Sequence, residues 1–297
     1  VRIWVSGARG FVGSRLVPHL ESRGHTVLAS DRETDVQDAG AVDAAVAGAR
    51  PDAVVHLAAV ASVAHAHAAP ASAARVNTLG TLHVLRAVAR KAPAARVLVI
   101  GSGEVYGQGP GSPFDETAPL RPLSAYARSK AAADRLGAVF AARGLDVVRV
   151  RPFSHTGPGQ ADHYVASSFA RQIAEIESGR RTPVLAVGNL DAVRDVLDVD
   201  DVVDAYVALL DGRVPPAAYN VATGVGIRVG ELLDRLLAAS SIRPEVRTDP
   251  ARWRPAGASV GDAGRLRNAT GWRPSRPLDD TLMRLLADWR LRIHACR

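Results

Sequence analysis

An α/β fold, with a doubly wound parallel sheet and a smaller C-terminal lobe, is what this 297-residue sequence predicts. Three observations carry that reading. Short apolar, β-branched runs recur through the first half without polar alternation, as strands covered on both faces require. Amphipathic helical stretches separate these runs, the rhythm of βαβ units. A glycine-rich turn joins the first run directly to the first helical stretch.

The elements follow in order. Arg2–Ser6 is the first strand, and the glycine turn leads into a helix from Phe11 to Ser22. His25–Ser30 and Ala53–Leu57 are the second and third strands. A helix covers Asn77–Lys91, Arg96–Ile100 is the fourth strand, Tyr126–Arg143 is a helix and Leu145–Val150 the fifth strand. Beyond Arg151 the loops lengthen and Gly and Pro become more frequent. Tyr219–Val221 reads as a short strand, Gly230–Ala239 and Asp279–Arg292 as helices, and Ile242–Pro277 has little periodicity. This later part is expected to lie over the carboxyl ends of the strands.

Composition narrows the class. Hydrophobic residues make up 47% and charged residues 23%, as in globular proteins, which excludes disordered and collagen-like chains. A chain this long buries a large core without staples. The single cysteine, Cys296, excludes a disulfide within the chain, and the cytoplasm is the simplest compartment. The start VRIWVSGARG lacks the apolar core of a signal peptide, and no run approaches the ~18 apolar residues of a membrane span. The net charge of +7 comes from scattered arginines, with lysine only at Lys91 and Lys130. No nucleic-acid motif accompanies it, so nucleic acid is not an expected partner, whereas a small anionic ligand fits.

Gly7, Gly10 and Gly13 form G-x-x-G-x-x-G between a strand and a helix at the head of a βαβ chain. Glycines permit the tight turn and the close approach of a pyrophosphate, and the helix N-terminus adds free N–H groups and partial positive charge. This predicts a Rossmann-type, dinucleotide-binding domain over residues 1–152, with 194–222 returning to it. Residues 153–193 and 223–297 then form a substrate-binding lobe. Asp31 ends the second strand and suits the ribose hydroxyls of NAD. Arg32 and Arg9 are placed to meet the 2′-phosphate of NADP instead; NAD is preferred. Asp35 and Val36 are candidates for the adenine edge, with an exposed loop acid as the plain alternative.

Tyr126 and Lys130 are four residues apart, on one helical face. An ammonium beside a phenol is expected to lower the phenol's pKa from its usual ~10 and make Tyr126 an acid–base group. Ser102, just after the fourth strand, can reach the same space.

Taken together, Gly7-x-x-Gly10-Phe11-Val12-Gly13, His56-Leu57-Ala58-Ala59, Asn77 with Gly80-Thr81, Ser102 and Tyr126-x-x-x-Lys130 resemble the extended short-chain dehydrogenase/reductase superfamily. The runs Glu104–Gly107, Arg151–Gln160, Gln172–Glu177 and Val187–Asp195 resemble its branch of GDP-mannose 4,6-dehydratases and GDP-6-deoxy-D-mannose reductases. The tail Gly261-Asp262, Leu266-Arg267 and Thr270-Gly271-Trp272 is more similar to the reductases.

The resemblance implies a catalytic set of Ser102, Tyr126 and Lys130, with Lys130 also on the nicotinamide ribose. It implies cofactor contacts at Leu57, Ala58, Ala59, Asn77, Pro152 and Phe153. Ser154, His155, Asn189, Arg194 and Arg254 would lie near a sugar nucleotide, arginine suiting a diphosphate through its planar fork. The plain alternatives are a salt bridge from Arg194 to Asp195 or Asp198 and a loop-packing role for His155. No metal is implied. The chain departs from the family at Ser154, usually Asn, and at Gly103, where dTDP-glucose dehydratases carry Asp. It also has Trp253 beside Arg254 in place of a smaller apolar residue.

The expected activity is NAD(P)-dependent reduction of a 4-keto-6-deoxy nucleotide sugar, with Tyr126 as proton donor. The alternatives are a 4,6-dehydratase, using Glu104 at sugar C5, an epimerase, or a non-enzymatic dinucleotide sensor, which the intact catalytic set disfavours. The helices Asn77–Lys91 and Tyr126–Arg143 carry more apolar surface than one buried face needs, and family members pair through them, so a homodimer is expected.

Overall fold

The computed structural model describes residues 1–109, 113–211, 214–253 and 256–295. In chain order the first half runs β1 (Arg2–Ser6), α1 (Gly13–Ser22), β2 (Thr26–Ser30), α2 (Ala39–Ala49), β3 (Ala53–His56), α3 (Val63–Ala68) and α4 (Pro70–Ala74). A π-helical turn (Arg75–Leu79) leads into α5 (Gly80–Lys91), followed by β4 (Arg96–Ile100), a 3₁₀ turn (Gly103–Tyr106), α6 (Ala125–Ala142) and β5 (Val147–Pro152). Then come β6 (Ser154–Thr156), α7 (Val165–Glu177), β7 (Val184–Val187), β8 (Val193–Arg194), β9 (Val196–Asp198), α8 (Val199–Asp211) and β10 (Ala218–Val221). The chain ends with β11 (Ile227–Arg228), α9 (Val229–Ala238), β12 (Glu245–Thr248), β13 (Ala258–Ser259), α10 (Gly264–Thr270) and α11 (Leu278–Ala295).

Six parallel strands form the central sheet in the order β2-β1-β3-β4-β5-β10. The chain steps from β1 to β2 on one side and returns to β3 on the other, so the order reverses between β1 and β3. Crevices for ligands open at such a point, outside the carboxyl ends of the strands. Both faces are covered. Leu16 and Leu20 of α1 with Val202, Tyr206 and Leu209 of α8 cover one. Val42 and Val46 of α2 with Val84 and Val88 of α5 cover the other. Each such buried Val or Leu contributes about 1.5–3 kcal/mol. A separate core joins Phe169 and Ile173 of α7, Leu232 and Leu236 of α9, and Leu282 and Leu285 of α11.

Every strand and helix expected in the first half is present, with ends moved by one or two residues; the helix read over Asn77–Lys91 begins with the π turn. The structure adds α2, α7 and α8, and the stretch 242–277 holds β12, β13 and α10 rather than an aperiodic segment. α2 starts where the Asp38 carboxylate accepts from the Gly40 and Ala41 amides, an N-cap.

Candidate active site

A cleft of about 830 Å³ crosses the carboxyl ends of the sheet. Each strand end supplies part of its wall. The loop after β1 brings Gly7, Gly10, Phe11, Val12 and Gly13; the end of β2 brings Asp31, Arg32, Asp35 and Val36; the end of β3 brings Leu57, Ala58 and Ala59. Ser102 and Glu104 follow β4, Tyr126 and Lys130 come from α6, and Pro152, Phe153, Ser154 and His155 follow one another along β5 and β6. Arg194 closes the lobe side.

The loop geometry explains the glycines. Gly7 has φ +72°, and a Cβ there would meet the Ala58 amide nitrogen at 2.7 Å. A Cβ on Gly13 would meet the carbonyl oxygens of Gly7 and Ala8 at 2.4 and 2.6 Å, so α1 approaches the loop only with glycine there. Above Gly10 the space is open apart from the Gly7 oxygen at 3.2 Å. That bare backbone at a helix N-terminus fits the pyrophosphate of a dinucleotide.

α6 begins at Ser124, whose Oγ accepts from the Ala127 amide at 3.0 Å, and this cap sets the phase that buries Tyr126 and Lys130 together. Lys130 Nζ donates to the Ile100 carbonyl at 2.8 Å, and burial pushes its pKa down to about 8. The expected lowering of the Tyr126 pKa is not found. Burial pushes the phenol well above its ordinary value, the Ser102 hydrogen bond offsets this only in part, and Tyr164 and Glu104 add to the rise. Desolvation disfavours the phenolate more than the site's dipoles favour it. Tyr126 therefore stands protonated at neutral pH, as a proton donor must.

His56 is buried behind Lys130, with Nδ1 bonded to Ser6 Oγ at 2.7 Å and Nε2 to Thr81 Oγ1 at 3.1 Å. Burial and Lys130 push its pKa down to about 3, so it is neutral. His155 bonds the Phe153 carbonyl through Nδ1 at 3.0 Å and stacks on Phe11, with ring centroids 6.1 Å apart. At position 103 a Cβ would stand 2.9 Å from the Phe153 ring, so the cleft has no room for an acid there.

Three expected site residues lie off the cleft. Arg9 turns outward to Glu33, with N···O distances of 3.3 and 3.4 Å, while its amide donates to Asp31. Asn77 is buried, with its amide group spent on Val60 N and O and on Ser129 Oγ, so it fastens the loop after β3 to α6. Asn189 accepts from the Asp191 amide within its own turn. Arg254 falls outside the described residues.

Arg194 forms neither salt bridge considered for it. Asp195 is taken by Thr223, Gly224 and Gly261, and Asp198 by Thr281 and Arg284. Among the described residues the Arg194 guanidinium donates to the carbonyls of Val193 and Gly257, both at 2.8 Å, and to no carboxylate, and so presents its positive charge to the cleft. Tyr164 and Tyr206 also line the cleft and were not anticipated, because neither sits in a recognisable local pattern. Among the described residues no group of His, Cys, Asp and Glu is placed to hold a metal, and no helix is long and apolar enough to cross a membrane.

Known proteins resemble the chain across this whole architecture. The NAD dependent epimerase/dehydratase family matches residues 3–222. A GDP-6-deoxy-D-mannose reductase of Pseudomonas aeruginosa is 37% identical over 98% of both chains. A UDP-glucose 4-epimerase of Mycolicibacterium smegmatis is 32% identical, over 98% of this chain and 99% of its own. Among solved structures, RMD from Pseudomonas aeruginosa in complex with NADPH superposes with a TM-score of 0.90 at 35% identity over 98% of both chains. UDP-glucose 4-epimerase of Thermus thermophilus with NAD gives 0.88 at 30% identity, over 98% of this chain and 99% of that one. With its glycine cradle, its Ser102, Tyr126 and Lys130 on one cleft and these relatives along its length, the chain belongs to the NAD dependent epimerase/dehydratase family of extended short-chain dehydrogenase/reductases.

Proposed function

We propose that the protein reduces a 4-keto-6-deoxy nucleotide sugar of the GDP-4-keto-6-deoxymannose kind. The observation that carries this is the meeting of Ser102, Tyr126 and Lys130 at one end of a cleft whose other wall is the glycine cradle, in a chain 37% identical throughout to a GDP-6-deoxy-D-mannose reductase. The dinucleotide supplies the hydride when bound. Tyr126, held protonated by burial, gives its proton to the oxygen forming at sugar C4. Ser102 hydrogen-bonds that oxygen and orients the phenol. Lys130 holds the nicotinamide ribose. Arg194 receives the diphosphate with Ser154 beside it, its fork free of carboxylate partners among the described residues.

NAD is the proposed dinucleotide. Asp31 and Asp35 put two carboxylates on the cleft wall against Arg32, while Arg9 is spent on Glu33 off the cleft, which favours a hydroxyl over a phosphate. The enzyme is further proposed to be a cytoplasmic homodimer. Val139 of α6 is 45% exposed and Leu79 before α5 is 39% exposed, the apolar surface that pairing would cover.

Incubation with GDP-4-keto-6-deoxymannose and NADH, followed by mass and NMR analysis, tests the activity. The expected result is stoichiometric NADH loss with a GDP-6-deoxyhexose product, and no reaction with GDP-mannose alone. Formation of a 4-keto-6-deoxy product from GDP-mannose without added reductant, abolished in Glu104→Gln, would overturn the reading in favour of a dehydratase.

A further inference from the structure

The floor of the cleft holds a hydroxyl that the proposed chemistry does not use. Tyr206, on α8, is completely buried, and its ring packs in the core beneath the sheet's carboxyl ends. It lines the cleft, yet its Oη has no hydrogen-bond partner among the described residues. Other buried phenols in the chain are paired: Tyr106 donates to Asn220 Oδ1 and accepts from Arg151, and Tyr219 donates to the Pro215 carbonyl. An unpaired buried hydroxyl carries a desolvation cost of about 1–3 kcal/mol. Such a group calls for a partner, and at the wall of a ligand cleft a bound ligand can supply one.

Its place shows which part of the ligand. α8 packs against α1 along its flank and also against β4 and β6, the strands that lead to Ser102 and carry Ser154. Tyr206 is close enough to Tyr126 for that phenol's charge to raise its own pKa. Asp31, at the adenosine wall, follows β2, three strand positions from β4 and so roughly 14 Å away at ~4.8 Å per strand. The hydroxyl therefore stands at the reacting end of an extended dinucleotide. The polar group there is a ring carboxamide, with one acceptor and two donors, and a phenol can both donate and accept.

We propose that Tyr206 is a positioning residue whose hydroxyl hydrogen-bonds the nicotinamide carboxamide, fixing the rotation of the ring about its glycosidic bond and so the face presented to the sugar. This rests on the cleft being the dinucleotide site, and its test needs no sugar substrate.

Tyr206→Phe removes one oxygen and keeps the ring. Calorimetry on wild type and variant should compare NADH with ADP-ribose, which has the same adenosine and diphosphate but no nicotinamide. The expected result is about tenfold weaker NADH binding by the variant, with ADP-ribose affinity within twofold of wild type. The ligand-free variant should melt at or above the wild-type temperature, since the hydroxyl has no partner to lose. Equal weakening of both ligands would make Tyr206 a packing residue and overturn the proposal, as would unchanged affinity for both. A lower melting temperature of the ligand-free variant would reveal a partner in the free chain and also overturn it. Failure of wild type itself to bind NADH would instead remove the cofactor reading beneath it.

Discussion

Tyr126 is governed by desolvation rather than by its cationic neighbour. A phenol kept neutral by burial suits reduction, in which it gives up a proton. Tyr126→Phe should therefore lower kcat for the keto sugar by at least about 10²-fold, the scale of a positioned acid. Glu104→Gln should cost less, since reduction at C4 removes no proton from C5; steady-state kinetics on both variants check this. Lys130 gives a pH signature. Its pKa is depressed to about 8, so its ammonium is present below that pH and lost above it. Binding that uses the ammonium should weaken by up to about tenfold per pH unit above 8. Fluorescence titration of NADH from pH 6.5 to 9.5 measures the limb, which Lys130→Met should flatten. Residue types and spacing were enough to bring most of the site into view. They could not show that Glu33 draws Arg9 away, or that Val60 and Ser129 consume the polar atoms of Asn77. Those outcomes depend on partners that only the folded chain brings near.

The strands of the first half could be read because each is a compact apolar run bounded by turn residues. α7 and α8 were harder to see for a physical reason. Both carry an apolar stripe, but buried Ser167, Ser168 and Gln172 of α7 and buried Asp201 of α8 put polar residues on the packed side and interrupt the pattern. α2, made almost entirely of Ala, Gly and Val, offers little periodicity of any kind. The β1–α1 loop was legible because its glycines are fixed by backbone contacts that any side chain would violate. Gly10→Val should abolish NADH binding by filling the open space above the loop. Circular dichroism should remain native, because only the Gly7 oxygen stands near the new Cβ.

For the molecule as a whole, buried neutral His56 links folding to acid. Its folded pKa of about 3 lies below the unfolded value near 6.5, so only the unfolded chain takes up the proton as pH falls between them. The stability it contributes is complete above about pH 7 and is lost downward from 6.5, at a limiting slope of about 1.4 kcal/mol per pH unit. Urea unfolding at pH 7, 6, 5 and 4.5 should show this decline, and His56→Asn should make it shallower. The proposed association is a matter for light scattering, which should give about twice 31.2 kDa across a wide concentration range. A mass of one chain throughout would remove the pairing.

The π turn at Arg75–Leu79 places a demand on chain length rather than on composition. It holds one residue more than an α-helical path between α4 and α5 would, and that surplus sets the phase of one helix against the other. With it, Ala73 of α4 packs beside Tyr126 while Asn77 reaches Val60 and Ser129. Deleting a single residue, Thr78 for example, would leave every other side chain in the chain yet turn α4 by about 100° against α5. Ala73 would leave the tyrosine and Asn77 its clamp. Natural insertions and deletions should thus be tolerated in the outer loops and purged from these five positions, whatever residues fill them.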